Sequence, residues 1–228
     1  MPARLERKAE SVKRSTPLRA VLFDWDGTLI DSAEASFRSY VRLFASYSIA
    51  FDRERFAATY SPDWYRTYEA VALPRDRWSE ADARWVELYR EEEARLLPGA
   101  EQALNRLRGA GLSTALVTSG SRERVERELS ALPVAFDQLV CCEDVRRKKP
   151  DPEALRVALR RLRVAPPEAA YVGDSPEDVA MSRAAGVYVI GVEGGFPNRE
   201  ALRAARPDLL ARDLAHAIEA LLSAGDDA

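Results

Sequence analysis

Two aspartates two residues apart, Asp24 and Asp26 in FDWDGTLIDS (23–32), follow the apolar run AVLF (20–23), and Asp31 lies near the end of the same stretch. Carboxylates gathered at the mouth of a buried strand repel one another at low effective dielectric, so they take up protons or hold a cation. Other apolar runs also end in polar groups: Thr118-Ser119-Gly120 at the end of STALVT, and Asp174-Ser175 after AAYVG. An oxygen-only donor set of this kind favours magnesium, which takes a few carboxylates, keeps waters and accepts substrate phosphate.

Thr118, Ser119 and Gly120 lead into a helical segment, where hydroxyls and backbone N–H groups can cradle an anion. The same residue types also cap helices with no ligand present. Lys148-Lys149-Pro150 occupies a loop before another helix. An ammonium there can offset a carboxylate and a phosphate together, or simply face solvent. In GDSPED, Ser175, Pro176 and Asp178 fit the cap, first and third positions of a helix, a structural role in itself. Asp174 precedes that cap, where its carboxylate would reach the crevice that Asp24 enters.

The elements that must position these groups are short apolar runs: AVLF (20–23), STALVT (113–118), QLVCC (138–142), AAYVG (169–173) and VYVIGV (187–192). They read as buried strands. Between the later ones lie helix-period segments such as DPEALRVALRRL, with Leu155, Ala158, Leu159 and Leu162 on one face, Asp151 as cap and Pro152 in the first turn. Alternating strand and helix predicts an α/β protein with a Rossmann-like parallel sheet, whose ligands lie beyond the carboxyl ends of the strands. Residues 33–97 interrupt the pattern with helical stretches, Phe37, Tyr40, Val41 and Phe44 marking one face and Trp85, Leu88 and Tyr89 another. The expected organisation is an arm over residues 1–17, a core over 18–32 and 98–228, and an inserted helical unit over 33–97 with a boundary at Leu97-Pro98-Gly99.

With 228 residues, 46% hydrophobic and 31% charged, the chain has the composition of a globular protein. No run approaches the roughly 18–20 apolar residues of a membrane span. A formal net charge of −3 gives no global attraction for nucleic acid or an acidic membrane. His216 is the only histidine, which leaves acid–base chemistry to carboxylates, Lys, Tyr or Cys. Cys141 and Cys142 are adjacent and fit a reducing, cytoplasmic compartment. The expected partner is a small molecule, with no nucleic acid and no membrane, and the chain a monomer or homodimer.

In this order, DWDGT, the Thr118 tripeptide, Lys149-Pro150 and GDSPED resemble the four motifs of the haloacid dehalogenase superfamily. The resemblance covers about residues 18–223, and the insertion is similar to the type 1 helical cap of phosphoglycolate phosphatase-like members. It implies that Asp24 is a nucleophile attacking phosphorus and Asp26 the general acid that then activates water. It implies Mg²⁺ held by Asp24, the backbone carbonyl of Asp26 and Asp174, supported by Asp178. Thr118, Ser119 and Gly120 would bind phosphate, with Lys149 steadying the nucleophile and the transferring oxygens.

Dehalogenases and phosphonatases of this superfamily lack the second aspartate, present here as Asp26, and phosphomutases commonly carry Val where this chain has Thr28. The motif therefore looks like that of a phosphate monoester hydrolase acting on a small phosphorylated metabolite. Alternatives on the same scaffold are a pyrophosphatase, a 5′-nucleotidase or a phosphosugar mutase, and from another class a phospho-accepting signalling module. In the insertion, Tyr60, Trp64, Tyr65, Arg66 and Tyr68 offer a pocket lining and a partner for an anionic leaving group, aromatic packing within the insertion being the other reading.

Overall fold

The structure is a computed structural model, and it describes residues 16–61 and 63–223. The arm expected over 1–17 lies, up to residue 15, outside the described residues. Six parallel strands form one sheet: β1 (Ala20–Phe23), β2 (Ser113–Val117), β3 (Gln138–Val140), β4 (Ala169–Gly173), β5 (Tyr188–Val192) and β6 (Leu209–Ala211), in the order β3-β2-β1-β4-β5-β6. The first five coincide with the apolar runs; β6 was not anticipated.

A strand buried on both faces must be apolar throughout, and all four residues of β1 are fully buried. Val21 and Phe23 pack with Leu104 and Leu107 of α5 (Ala100–Gly109) and with Ile218 and Leu221 of α10 (Leu214–Ser223). Ala20 and Leu22 face the other layer, formed by Leu155 and Leu159 of α7 (Glu153–Leu162), Val179 and Met181 of α8 (Pro176–Ala185) and Leu202 of α9 (Arg199–Ala205). Each such side chain contributes about 1.5–3 kcal/mol of burial. At the start of α7, Asp151 accepts a hydrogen bond from the Glu153 N–H at 2.9 Å, while Pro152 takes the cap position itself.

Helices α1 (Ala33–Ala45), α2 (Arg53–Thr59), α3 (Trp64–Ala70) and α4 (Trp78–Arg90) intervene between β1 and α5. They share a separate aromatic core in which Tyr40 stacks on Phe44 and Phe51 lies 4.7 Å from Phe44. Both connections to the sheet layer run side by side: Ile30 bridges Leu96, Asp31 donates to the Arg95 carbonyl at 2.8 Å, and Leu97 donates to the Leu29 carbonyl at 2.8 Å. The helical layer also closes down on the sheet, with Tyr60 stacked 4.4 Å from Phe196, Arg90 paired with Glu123 and the Lys148 ammonium 3.6 Å from the centre of the Trp64 ring.

Candidate active site

Register alone brings the carboxylates together. Phe23 pairs with Leu116 on one side and Val172 on the other, so β1, β2 and β4 end level at their carboxyl edge. Asp24 follows β1, Thr118 follows β2 and Asp174 follows the last residue of β4. The sequential order of connections reverses between β1 and β4, and such a reversal opens the crevice where parallel α/β proteins bind ligands. Asp24, Asp174 and Asp178 present carboxylate oxygens within 4.8 Å of one another there.

Lys149 is the main counter-charge. Its side chain is 5% exposed, and its ammonium donates to Asp24 Oδ1 at 2.6 Å, to Asp178 Oδ1 at 2.8 Å and to the Tyr171 hydroxyl at 2.8 Å. Burial still outweighs this attraction, and with the Asp178 charge nearby it pushes Asp24 up to about 7. Burial and the charges of Asp24 and Asp178 likewise raise Asp174 well above the usual carboxylate range. Lys149 is driven upward by its two carboxylates despite its own desolvation.

Asp178 serves the cluster from behind. Its Oδ2 accepts from the Ser175 N–H at 3.1 Å and the Ser175 hydroxyl at 2.7 Å; its Oδ1 accepts from Lys149 and, at 3.0 Å, from Tyr171. Those four bonds occupy the roughly four acceptor sites of a carboxylate. The Ser175 hydroxyl accepts in turn from the Asp178 N–H, completing the reciprocal cap at the start of α8. Asp174 is the opposite case: its Oδ2 is buried with no hydrogen-bond partner.

That orphaned oxygen lies in a cradle of glycines. Gly27, at φ +76°, and Gly194 both face it, and a Cβ on either would run into the Asp174 carboxylate. A buried, unpartnered carboxylate oxygen beside two further aspartates fits a hard divalent cation with oxygen ligands. The donor set and the room around it therefore suit Mg²⁺.

Asp26 faces a different partner. Arg124, at the third position of α6 (Arg122–Ser130), reaches it with both terminal nitrogens, at 3.0 and 2.5 Å, and also contacts Glu128 at 3.3 Å. Burial acts to raise the Asp26 carboxyl, but the charge and hydrogen bonds of Arg124, helped by Ser32, hold it below its ordinary value. Glu128 is raised by burial in spite of Arg124, and it accepts the Trp25 indole N–H at 2.6 Å. Trp25 thus points away from the crevice into the core, edge-on to Phe136. A Cβ at Gly120 would strike the Arg124 guanidinium, so this glycine gives the arginine its path.

Asp24, Asp26, Thr118, Ser119, Gly120, Lys149 and Asp174 line one cavity of about 250 Å³ together with residues of the helical layer. Thr118 and Ser119 do not cap α6: its cap residue is Ser121, and the Thr118 hydroxyl accepts from the Gly120 N–H at 3.0 Å. Trp64 lines the cavity, as do Tyr60 and Tyr68. Tyr65 and Arg66 do not. Tyr65 stacks on Trp78 and donates to Asp82 at 2.8 Å, and Arg66 is 66% exposed beside Asp63. Successive helical residues point about 100° apart, so Trp64 and Tyr68, one turn apart, share the inner face and their neighbours turn away.

Sequence reasoning missed Arg124, Asp82 and Tyr171. The available signal for Arg124 was its spacing of four from Glu128, each placed next to an apolar position of α6, Val125 or Leu129.

Residues 21–192 match the profile of the haloacid dehalogenase-like hydrolases. A pyrophosphatase PpaX of Bacillus velezensis is 32% identical over 84% of this chain and 90% of its own. A validoxylamine A 7′-phosphate phosphatase of Streptomyces hygroscopicus is 28% identical over 86% of this chain and 94% of its own. Among solved structures, a Haemophilus somnus protein described as a predicted phosphoglycolate phosphatase superposes with a TM-score of 0.80 at 21% identity, covering 90% of this chain and 98% of its own. Fold, motif order and a profile match across most of the chain agree that this protein belongs to the haloacid dehalogenase-like hydrolase family.

Proposed function

We propose that the protein is a magnesium-dependent phosphatase that hydrolyses a small phosphorylated metabolite through a phosphoryl group carried on Asp24. The observation that carries this reading is the opening of Asp24 and Asp26 into one cavity beside the unpartnered oxygen of Asp174.

Asp24 attacks phosphorus with the carboxylate that Lys149 holds at 2.6 Å. Asp26 gives a proton to the departing alcohol oxygen, then takes one from the water that releases phosphate from Asp24. Thr118, Ser119 and Gly120 receive the non-bridging oxygens through hydroxyl and N–H groups, and Lys149 balances the charge that Asp24 and the phosphoryl group bring together. Asp24, the Asp26 carbonyl and Asp174 would hold Mg²⁺, which when bound would supply charge neutralisation between a carboxylate and an incoming dianion. Asp178, with its acceptor sites filled, supports that set by anchoring Lys149. The helices over residues 33–97 act as a cap that excludes water during the reaction.

The test is phosphate release from phenyl phosphate with Mg²⁺, with EDTA, and by Asp24→Asn. Activity that needs both the metal and Asp24 is expected; equal release by a folded Asp24→Asn protein would overturn the reading. The similarity to a protein named pyrophosphatase favours a second reading, inorganic pyrophosphate as substrate.

A further inference from the structure

The wall that faces the leaving group separates these two readings. The cap contributes aromatic faces to it, from Tyr40, Tyr60, Trp64, Tyr68 and Trp85, and one charged group, Asp82. Among the described residues, every arginine of the cap lies outside the cavity lining. The two cations that do line the cavity belong to the sheet layer, and both are engaged: Lys149 by Asp24 and Asp178, Arg124 by Asp26 and Glu128. Lys148 rests on the Trp64 ring and is not part of the wall.

A second phosphate or a carboxylate on the substrate would thus be desolvated against aromatic rings and Asp82, with no free cation to receive it. Drawing Arg124 toward it would leave Asp26 and Glu128 unpaired. The same wall suits a different chemistry. Aromatic faces pack on the C–H faces of a ring, and Asp82 is an acceptor. Its carboxylate accepts from Trp64 at 3.0 Å and from Tyr65 at 2.8 Å, which leaves about two of its four acceptor sites for a donor on the ligand. A volume of about 250 Å³ holds a phosphoryl group and one ring.

Resting on the phosphatase reading, we infer that the substrate is the phosphate monoester of a hydroxylated ring with no second anionic group, whose hydroxyl or ammonium donates to Asp82. Pyrophosphate and sugar bisphosphates are thereby disfavoured, and Asp82 becomes a specificity residue in contact with the leaving group.

The experiment compares kcat/KM, with Mg²⁺, for glucose 6-phosphate, glucosamine 6-phosphate, pyrophosphate and phosphoglycolate. The two ring phosphates should exceed the two probes that carry a second anionic group by about tenfold or more, since a group left buried and unpaired is strongly discriminated against. Glucosamine 6-phosphate ahead of glucose 6-phosphate identifies an ammonium as the Asp82 donor, and the reverse a hydroxyl. Asp82→Asn, which keeps one carbonyl acceptor for Trp64 and can donate its amide to the Tyr65 hydroxyl, should lower kcat/KM for the preferred ring phosphate severalfold, mainly through KM. Val86→Arg, which adds a cation to the wall, should shift preference toward pyrophosphate. Pyrophosphate or phosphoglycolate turned over by the wild type as well as the ring phosphates, in an Asp24-dependent way, overturns this inference and leaves the phosphatase reading standing. No phosphate release from any probe, phenyl phosphate included, overturns both.

Discussion

Arg124 presents both terminal nitrogens to the two carboxylate oxygens of Asp26, at 3.0 and 2.5 Å, from a helix 98 residues further along the chain. The pair joins the layer that holds the motif loops to the cap, because the guanidinium also lies 5.2 Å from the centre of the Tyr89 ring in α4. Tied to this buried cation, Asp26 is fixed in place and favoured as the carboxylate. In the proposed mechanism, the proton that Asp26 delivers to the leaving group is therefore acquired against the pull of Arg124.

Arg124→Leu should destabilise the protein by about 3–5 kcal/mol at neutral pH, because Asp26 and Glu128 lose their buried partner. Burial raises Glu128 even with Arg124 present, and its removal raises it further. A carboxyl group with a raised folded-state value contributes stability below its unfolded value and loses it as pH rises. The loss of Tm caused by Arg124→Leu should accordingly be smaller at pH 5 than at pH 8. A deficit that is constant across this range contradicts the assignment.

Metal binding is open to a test that needs no substrate. A ligand bound only by the folded state at a hundred times its Kd adds about 2.7 kcal/mol of stability. Mg²⁺ should raise the Tm of the wild type, EDTA should reverse the rise, and Asp174→Asn should abolish it. Glu177→Gln, changed in the same α8 start but outside the proposed donor set, should keep it. An equal magnesium shift in Asp174→Asn would remove that residue from the donor set.

Gly27→Ala combines two penalties. At φ +76° any side chain is strained by roughly 1 kcal/mol, and here the added methyl also meets the Asp174 carboxylate and Phe196. The variant should fold with a lowered Tm, and it should lose the magnesium shift as Asp174 is displaced. An alanine variant that retains the full shift would show that the cradle around Asp174 Oδ2 is not needed.

Much of the fold was legible because five strands coincide with apolar runs followed by polar residues at one edge, and four of them, β1, β2, β4 and β5, are buried along nearly their whole length. β6 was not, because Leu209–Ala211 is three residues long and stands between Pro207 and Asp213 with no alternation or run to mark it. In the candidate site, the groups that follow strand ends could be found from position alone. Arg124 could not, since α6 is so highly charged that an arginine there resembles any solvated one, and only the tertiary fold brings Asp26 to it. Composition gives no rotation for a helix, so it does not separate Trp64 from Tyr65 and Arg66; the fold turns Trp64 inward and Arg66 out.

The proposed carrier of the phosphoryl group is Asp24. Rapid quenching in acid during turnover of phenyl phosphate, followed by mass spectrometry of the digested protein, tests it most directly. A phosphoryl adduct on the peptide that contains Asp24, present in the wild type with Mg²⁺ and absent from Asp24→Asn, is predicted. Undiminished phosphate release by folded Asp24→Asn, or an adduct on another residue, would contradict it.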